Sequence, residues 1–389
     1  MPKATSSSFL IRLALWGVAL AVVYQIAPGE PAWMSSSEEG QPPKDDHAQT
    51  LTFVGGDGST ELVGRLFLPQ VTKQADGGLP PVIILAHGLG LTQECSLDVF
   101  VQAFTAAGMA AFTFDYATFG HSDGWPRHQV KAFSHTADLQ AAMRFVQNSL
   151  QKQVDVKRLG LWGTSYGGGH VLSVAGSLAA DTPSPKAVVA LVPHVKSGIE
   201  SILGTIQRDP IPALTGLVKV MGALVKWTIT KVISLGQSTT YIPLHGLPGS
   251  SGMMQNPGDD EGYARLIQPA AREAGWTNLA SVGSLFQMLF YRPLNRVHQI
   301  TAPTLLLPAQ HDTLCTAAAV HEAYQIILHQ QDQQSTKNKN DEEETPLVSP
   351  TEPLARILEI SRAGHFDVYE GKLLSLVLKE TTAFFNEHL

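Results

Sequence analysis

Cysteine is nearly missing: Cys95 and Cys315 are the two thiols in 389 residues. That excludes a disulfide framework and leaves too few thiolates for a closed zinc site, so both read as free cysteines packed as small hydrophobes. Charge is sparse as well. Charged residues make up 16% of the chain, the net charge is −7, and no run of Lys or Arg occurs, so nucleic acid has no electrostatic footprint here. No segment repeats at a fixed period. What is present is apolar: 44% hydrophobic residues are ample for a core, and the length implies one large domain with an insertion, or two domains.

Phe9 to Ala27 is almost uniformly apolar, with Arg12 its one charge and Lys3 ahead of it. This is a targeting segment, long enough to span a bilayer as a helix or to act as a signal peptide with its apolar core at Leu13 to Tyr24. Pro28 spoils a clean small-residue cleavage site. The expectation is therefore an uncleaved anchor that engages a membrane, with entry into the secretory pathway as the alternative. Pro28 to Gln49 is rich in Pro, Ser, Glu and Gly and reads as a solvated linker, which argues against a buried first helix.

Beyond the linker, Leu51 to Val54, the Asp57-Gly58 turn signal and Leu62 to Leu68 predict an antiparallel hairpin. Short apolar runs then alternate with helical stretches. The runs are Val82 to Ala86, Ala110 to Phe114, Leu159 to Trp162, Ala187 to Val192, Thr304 to Leu307 and Arg356 to Ile360. Such alternation implies a mostly parallel sheet flanked by helices. It breaks between His194 and Ile300, a helical cap inserted after the sixth strand. Within the cap, Ile211 to Leu235 carries Lys219, Lys226 and Lys231 at roughly helical spacing. A second membrane span fits this less well than an amphipathic helix lying over a pocket or against a membrane surface. A helix is expected from Ala317 to Leu328, followed by a disordered or mobile polar insert from Gln330 to Pro350. The organisation is a tail (1–8), an anchor or signal (9–27), a linker (28–49), a first core part (50–193), the cap (194–300) and a second core part (301–389).

The run Gly163-Thr164-Ser165-Tyr166-Gly167 is a G-x-S-x-G sequence with an apolar strand directly before it and an apolar helix directly after. That strand-turn-helix context presents a serine on a sharp elbow, where small neighbours are needed because side chains would clash. A serine hydroxyl needs a base oriented by a carboxylate. Asp312 follows the strand at Thr304 to Leu307, and His365 follows the one at Arg356 to Ile360, both at strand carboxyl ends, where catalytic groups gather. Ser165, Asp312 and His365 are thus the candidate triad. His311 is expected to be structural, His170 to face away from the pocket, and Asp367 to be a surface or capping group.

An oxyanion needs preorganised N–H donors, and the candidates are Tyr166, after the nucleophile, and Leu89 in the loop His87-Gly88-Leu89-Gly90. His87 is expected to orient that loop. The loop from Asp115 to Gly124 should support it, with Asp115 and Ser122 making structural hydrogen bonds.

These residues, with Tyr291-Arg292-Pro293-Leu294, Ala302-Pro303-Thr304 and Ala363-Gly364-His365-Phe366-Asp367, resemble the α/β-hydrolase superfamily. The resemblance runs from Leu51 to the C-terminus and is nearest the serine-aminopeptidase-like and polyketide-transferase-like branch. It implies a Ser/Asp/His triad at Ser165, Asp312 and His365, no metal or other cofactor, and an acyl or peptidyl substrate under a variable cap. The apolar composition of the cap suggests a small apolar acyl substrate. The expected function is a serine hydrolase acting on an ester, thioester or amide. The alternatives are an acyltransferase with the same triad, and a membrane-tethered binding protein with misaligned triad residues, since one fold hosts many functions.

Overall fold

The computed structural model describes residues 48–70, 77–234, 239–341 and 354–389. The apolar segment 9–27 and most of the linker lie outside the described residues. The chain opens on β1 (Ala48–Val54) and β2 (Glu61–Phe67), paired antiparallel with Val54 opposite Glu61. The Asp57 carboxylate closes the turn by accepting from Ser59 N, Thr60 N and Thr60 Oγ1. Then follow β3 (Pro81–Ala86), α1 (Asp98–Ala106), β4 (Ala110–Phe114), α2 (Ala132–Ser149), β5 (Asp155–Thr164), α3 (Tyr166–Ala175) and β6 (Ala187–Leu191).

Eight strands form one sheet in the order β1-β2-β4-β3-β5-β6-β9-β10, where β9 is Thr304–Leu307 and β10 is Ala355–Ile357. Every pairing from β4 to β10 is parallel, and the hairpin joins antiparallel through β2 and β4. The central strands are apolar at successive positions because both sheet faces are covered. On β3, Val82 and Ile84 pack into one core with Leu139 of α2 and Val171 of α3, whereas Ile83 and Leu85 face Phe100 and Phe104 of α1. This alternation is the two-residue period of a strand.

Between β6 and β9 the chain forms α4 (Gly198–Arg208), α5 (Pro210–Ile233), β7 (Tyr241–Ile242), α6 (Asp259–Leu266), α7 (Pro269–Glu273), β8 (Ala280–Ser281) and α8 (Ser284–Phe290). The two short strands are additions to the expected helical cap. The β7–β8 ladder is two residues long, too short to leave a periodic signal. The three lysines do not form one solvent face of α5 either: Lys226 is buried, while Val218 and Val232 are each 71% exposed. Small residues decide the packing. Ala213, Gly216 and Ala223 turn inward, and a Cβ on Gly216 would meet the Gln255 side chain at 2.2 Å.

After β9, α9 (Ala317–Asp341) is longer than expected. The helix continues well past Leu328 into the polar stretch assigned to a disordered insert, because that stretch is rich in helix-tolerant Gln and Lys and meets no Gly or Pro before Pro346. Residues 342–350 lie outside the described residues. The strand expected over Arg356 to Ile360 is shorter, with Ile360 joined to Ala309 only by an isolated bridge. The final helix α10 (Gly371–His388) covers the same sheet face as α1, with Phe385 against Phe104.

Candidate active site

Ser165 occupies the bend between β5 and α3 with φ 54° and ψ −118°, a conformation that side-chain-bearing residues rarely adopt. The surrounding structure enforces it: Ser165 N donates to Leu191 O at 2.9 Å, and Ser165 O accepts from His194 N and Gly169 N. A Cβ on Gly163 would lie 2.4 Å from Gly167 O, and one on Gly167 would lie 2.2 Å from Ala86 O. These two glycines let β5, α3 and the end of β3 approach closely enough for the bend to form.

The other two candidates arrive from the loops after β9 and β10. Asp312 Oδ1 accepts from Leu314 N and Cys315 N at 2.8 and 2.7 Å, which fixes the carboxylate and turns Oδ2 toward His365 Nδ1 at 2.6 Å. His365 Nε2 lies 3.0 Å from Ser165 Oγ. Because the carboxylate accepts, Nδ1 carries the proton and Nε2 presents its lone pair to the hydroxyl. The side chain of Asp312 is wholly buried and that of His365 nearly so. Burial alone would lower the His365 pKa; the Asp312 charge and hydrogen bond override this and raise it well above the usual histidine range. Both distances are within bonding reach, whereas the binding-protein alternative requires misaligned groups.

Leu89, Ser165 and Tyr166 line one wall of a cavity of about 210 Å³. Its other walls come from the insertion, including Ile206 of α4, Leu217 and Val220 of α5, and Leu289 of α8. His87 sits in the Leu89 loop, its Nδ1–H donating to Gly88 O at 3.0 Å. Burial pushes its pKa down to about 4, so the ring is neutral. Two residues that the sequence did not single out clamp the same loop: Tyr263 Oη donates to Leu89 O at 2.7 Å and Trp276 Nε1 donates to Gly90 O at 3.0 Å. Nothing in the composition of the insertion marks them, since an isolated Tyr or Trp reads as core.

The supporting loop is built on Asp115, which accepts from Gln93 N, Gln93 Nε2 and His121 N. Ser122 Oγ donates to Asp115 O and accepts from Val63 N. The competing residues stand apart from the hydroxyl. His311 is exposed, with its N–H donating to Ala363 O; His170 is buried against Tyr166 and hydrogen-bonded to Tyr291; and Asp367 caps Gly364 N from the surface.

Both cysteines are free and buried, but Cys315 is more than filler, because it lines the same cavity as Ser165. Its thiol, with Asp312 and His365, is the one cluster of ligand-type atoms within 4.8 Å of one another among the described residues. Two of the three are already committed to each other, and burial raises the Cys315 pKa, so the thiol is protonated and a poor ligand.

Residues 80–257 match the family model Hydrolase_4, described as serine aminopeptidase, S33. That stretch holds Ser165 and both loop glycines, Gly88 and Gly90, and ends before Asp312 and His365. The chain is 28% identical to the quorum-quenching protein AidA of Acinetobacter baumannii over 309 residues, covering 78% of this chain and 85% of that one. It is 22% identical to the polyketide transferase af380 of Aspergillus fumigatus over 316 residues, covering 79% and 90%. Among solved structures, the alpha/beta hydrolase GrgF from Penicillium sp. sh18 superposes with a TM-score of 0.61 at 20% identity, covering 88% of this chain and 98% of that one.

Proposed function

We propose that this chain, which has the α/β-hydrolase fold and matches the serine aminopeptidase family model over residues 80–257, cleaves an ester, thioester or amide acyl bond through a covalent acyl-enzyme on Ser165. The observation that carries this reading is the continuous chain from Asp312 Oδ2 through His365 to Ser165 Oγ, at 2.6 and 3.0 Å.

His365 Nε2 takes the Ser165 hydroxyl proton as Oγ attacks the carbonyl carbon, and the oxygen that becomes negative sits at the Leu89 and Tyr166 N–H groups. The imidazolium, steadied by Asp312, then gives its proton to the departing alcohol, thiol or amine. Water enters, loses a proton to His365 and releases the acid. Removing one such preorganised donor costs roughly 3 to 4 kcal/mol in the tetrahedral state. The cavity walls are mainly aliphatic, which favours an apolar acyl group.

A second reading is an acyltransferase, in which an alcohol or amine replaces water in the last step. The likeness to a polyketide transferase over most of both chains favours keeping it. Replacing Ser165 with Ala abolishes turnover of a p-nitrophenyl ester if the proposal is right, and retained turnover means another nucleophile. Product analysis with a competing alcohol then separates acid release from acyl transfer.

A further inference from the structure

Helix α5 has two apolar faces, and the active-site cavity uses one. Ala213, Leu217 and Val220 line the cavity. On the other side Ile211 (78%), Leu214 (50%), Val218 (71%), Met221 (51%) and Val232 (71%) are exposed. Their spacing of three and four residues, or a sum of such steps, keeps them on one stripe, about 30 Å long at 1.5 Å per residue. Leu203 of α4 and Phe286 of α8 are exposed too, the latter with its ring 5.4 Å from Trp227 of α5. A stripe of this size is more than the scattered apolar residues a soluble surface normally shows.

Charge selects the occupant. From Pro210 to Gly258 the sequence contains no acidic residue, in a chain whose net charge is −7; of the three lysines there Lys226 is buried, Lys219 is exposed and Lys231 partly so, and the one acid of α4, Glu200, is paired with Arg292. Two copies meeting on this face would bring like charges together, whereas an anionic surface is attracted to it. A helix crossing a bilayer would have to leave the fold. That is opposed by the cavity-lining side of α5, by buried Lys226 and by the contact of Gly216 with Gln255.

We propose that the outer face of α4 and α5 is a docking surface for an anionic lipid bilayer, on which α5 lies in the plane of the interface. The same two helices then wall the cavity on one side and touch lipid on the other, a short path for an apolar acyl substrate. That last clause rests on the serine-hydrolase reading; docking does not.

The test uses the full chain carrying Val218→Cys, and separately Met221→Cys, each labelled with an environment-sensitive fluorophore; the native thiols are buried. Vesicles of phosphatidylcholine with one-third phosphatidylglycerol are expected to blue-shift the emission at both positions. Binding should be roughly tenfold weaker to phosphatidylcholine alone. A label at Lys157→Cys, exposed near the start of β5 and far from the Ser165 end, should not shift. The Ser165→Ala background should dock equally, so loss of docking and loss of chemistry are read apart. Three results overturn the proposal. One is emission that is already blue and indifferent to vesicles, which means that segment 9–27 of this chain covers the face. Another is a shift that follows protein concentration, which means a second copy. The third is equal response to neutral vesicles.

Discussion

The Tyr263 hydroxyl donates a hydrogen bond to the Leu89 carbonyl at 2.7 Å, so a side chain from the inserted segment fixes the backbone of the proposed oxyanion loop. Tyr263→Phe keeps the ring packing and removes the bond. A hydrogen bond of this kind contributes about 1 kcal/mol. The expected outcome is a kcat lowered roughly three- to tenfold with KM little changed. Steady-state kinetics on a soluble ester checks it, and an unchanged kcat removes the clamp from the mechanism.

The pH profile follows from His365. The neutral imidazole is the base, so kcat/KM falls as pH drops through its pKa. Burial pulls that pKa down but Asp312 more than restores it, so the midpoint of the acid limb should lie above the ordinary value of 6.5. Asp312→Asn removes the raising charge. It should move the midpoint down and cost on the order of 10⁴-fold in kcat through the wrong tautomer.

His135 gives a stability prediction of definite sign. It is buried, stacked on Tyr116, and pushed down to about 3, chiefly by burial. The folded state therefore holds it neutral. Its contribution is fully present above the unfolded pKa near 6.5 and is lost as pH falls from there toward 3. Thermal melts of the protein and of His135→Gln should differ at pH 7 and converge by pH 4.

Gly167→Ala tests the elbow directly. The added methyl would lie 2.2 Å from Ala86 O and 2.4 Å from His87 O, backbone atoms that cannot swing away. Overpacking of this kind costs about 1 to 3 kcal/mol or more. Chemical denaturation should show at least that loss, together with reduced ester turnover, because the displaced strand end carries the proposed oxyanion loop.

How much of this could be read from the sequence depended on whether the information was local. Apolar runs such as Val82 to Ala86 declare a doubly covered strand by themselves, and the Gly163 to Gly167 elbow carries its own steric requirement. Asp312 and His365 were found because each follows a strand in chain order. The end of α9 is not legible in the sequence because a polar run without Gly or Pro fits either a loop or an exposed helix, and tertiary context decides. Which side of α5 turns toward the cavity is open in the sequence for a related reason. Spacing locates faces, but only the partner, here the Gln255 side chain against Gly216, says which face turns in. Tyr263 and Trp276 left no signal, since their role exists only once the insertion folds over the Leu89 loop. Ser197 and Glu200 did carry one: an S-x-x-E spacing that forms a capping box at the start of α4.

The central claim is that Ser165 becomes acylated. Mixing the protein with an activated ester, quenching in acid within the first turnover and sequencing the digest by mass spectrometry reads this directly. The expected result is the acyl mass on the peptide containing Ser165, and its absence from the Ser165→Ala protein. Acyl mass on Cys315 or another residue, with Ser165 unmodified while product accumulates, would contradict it.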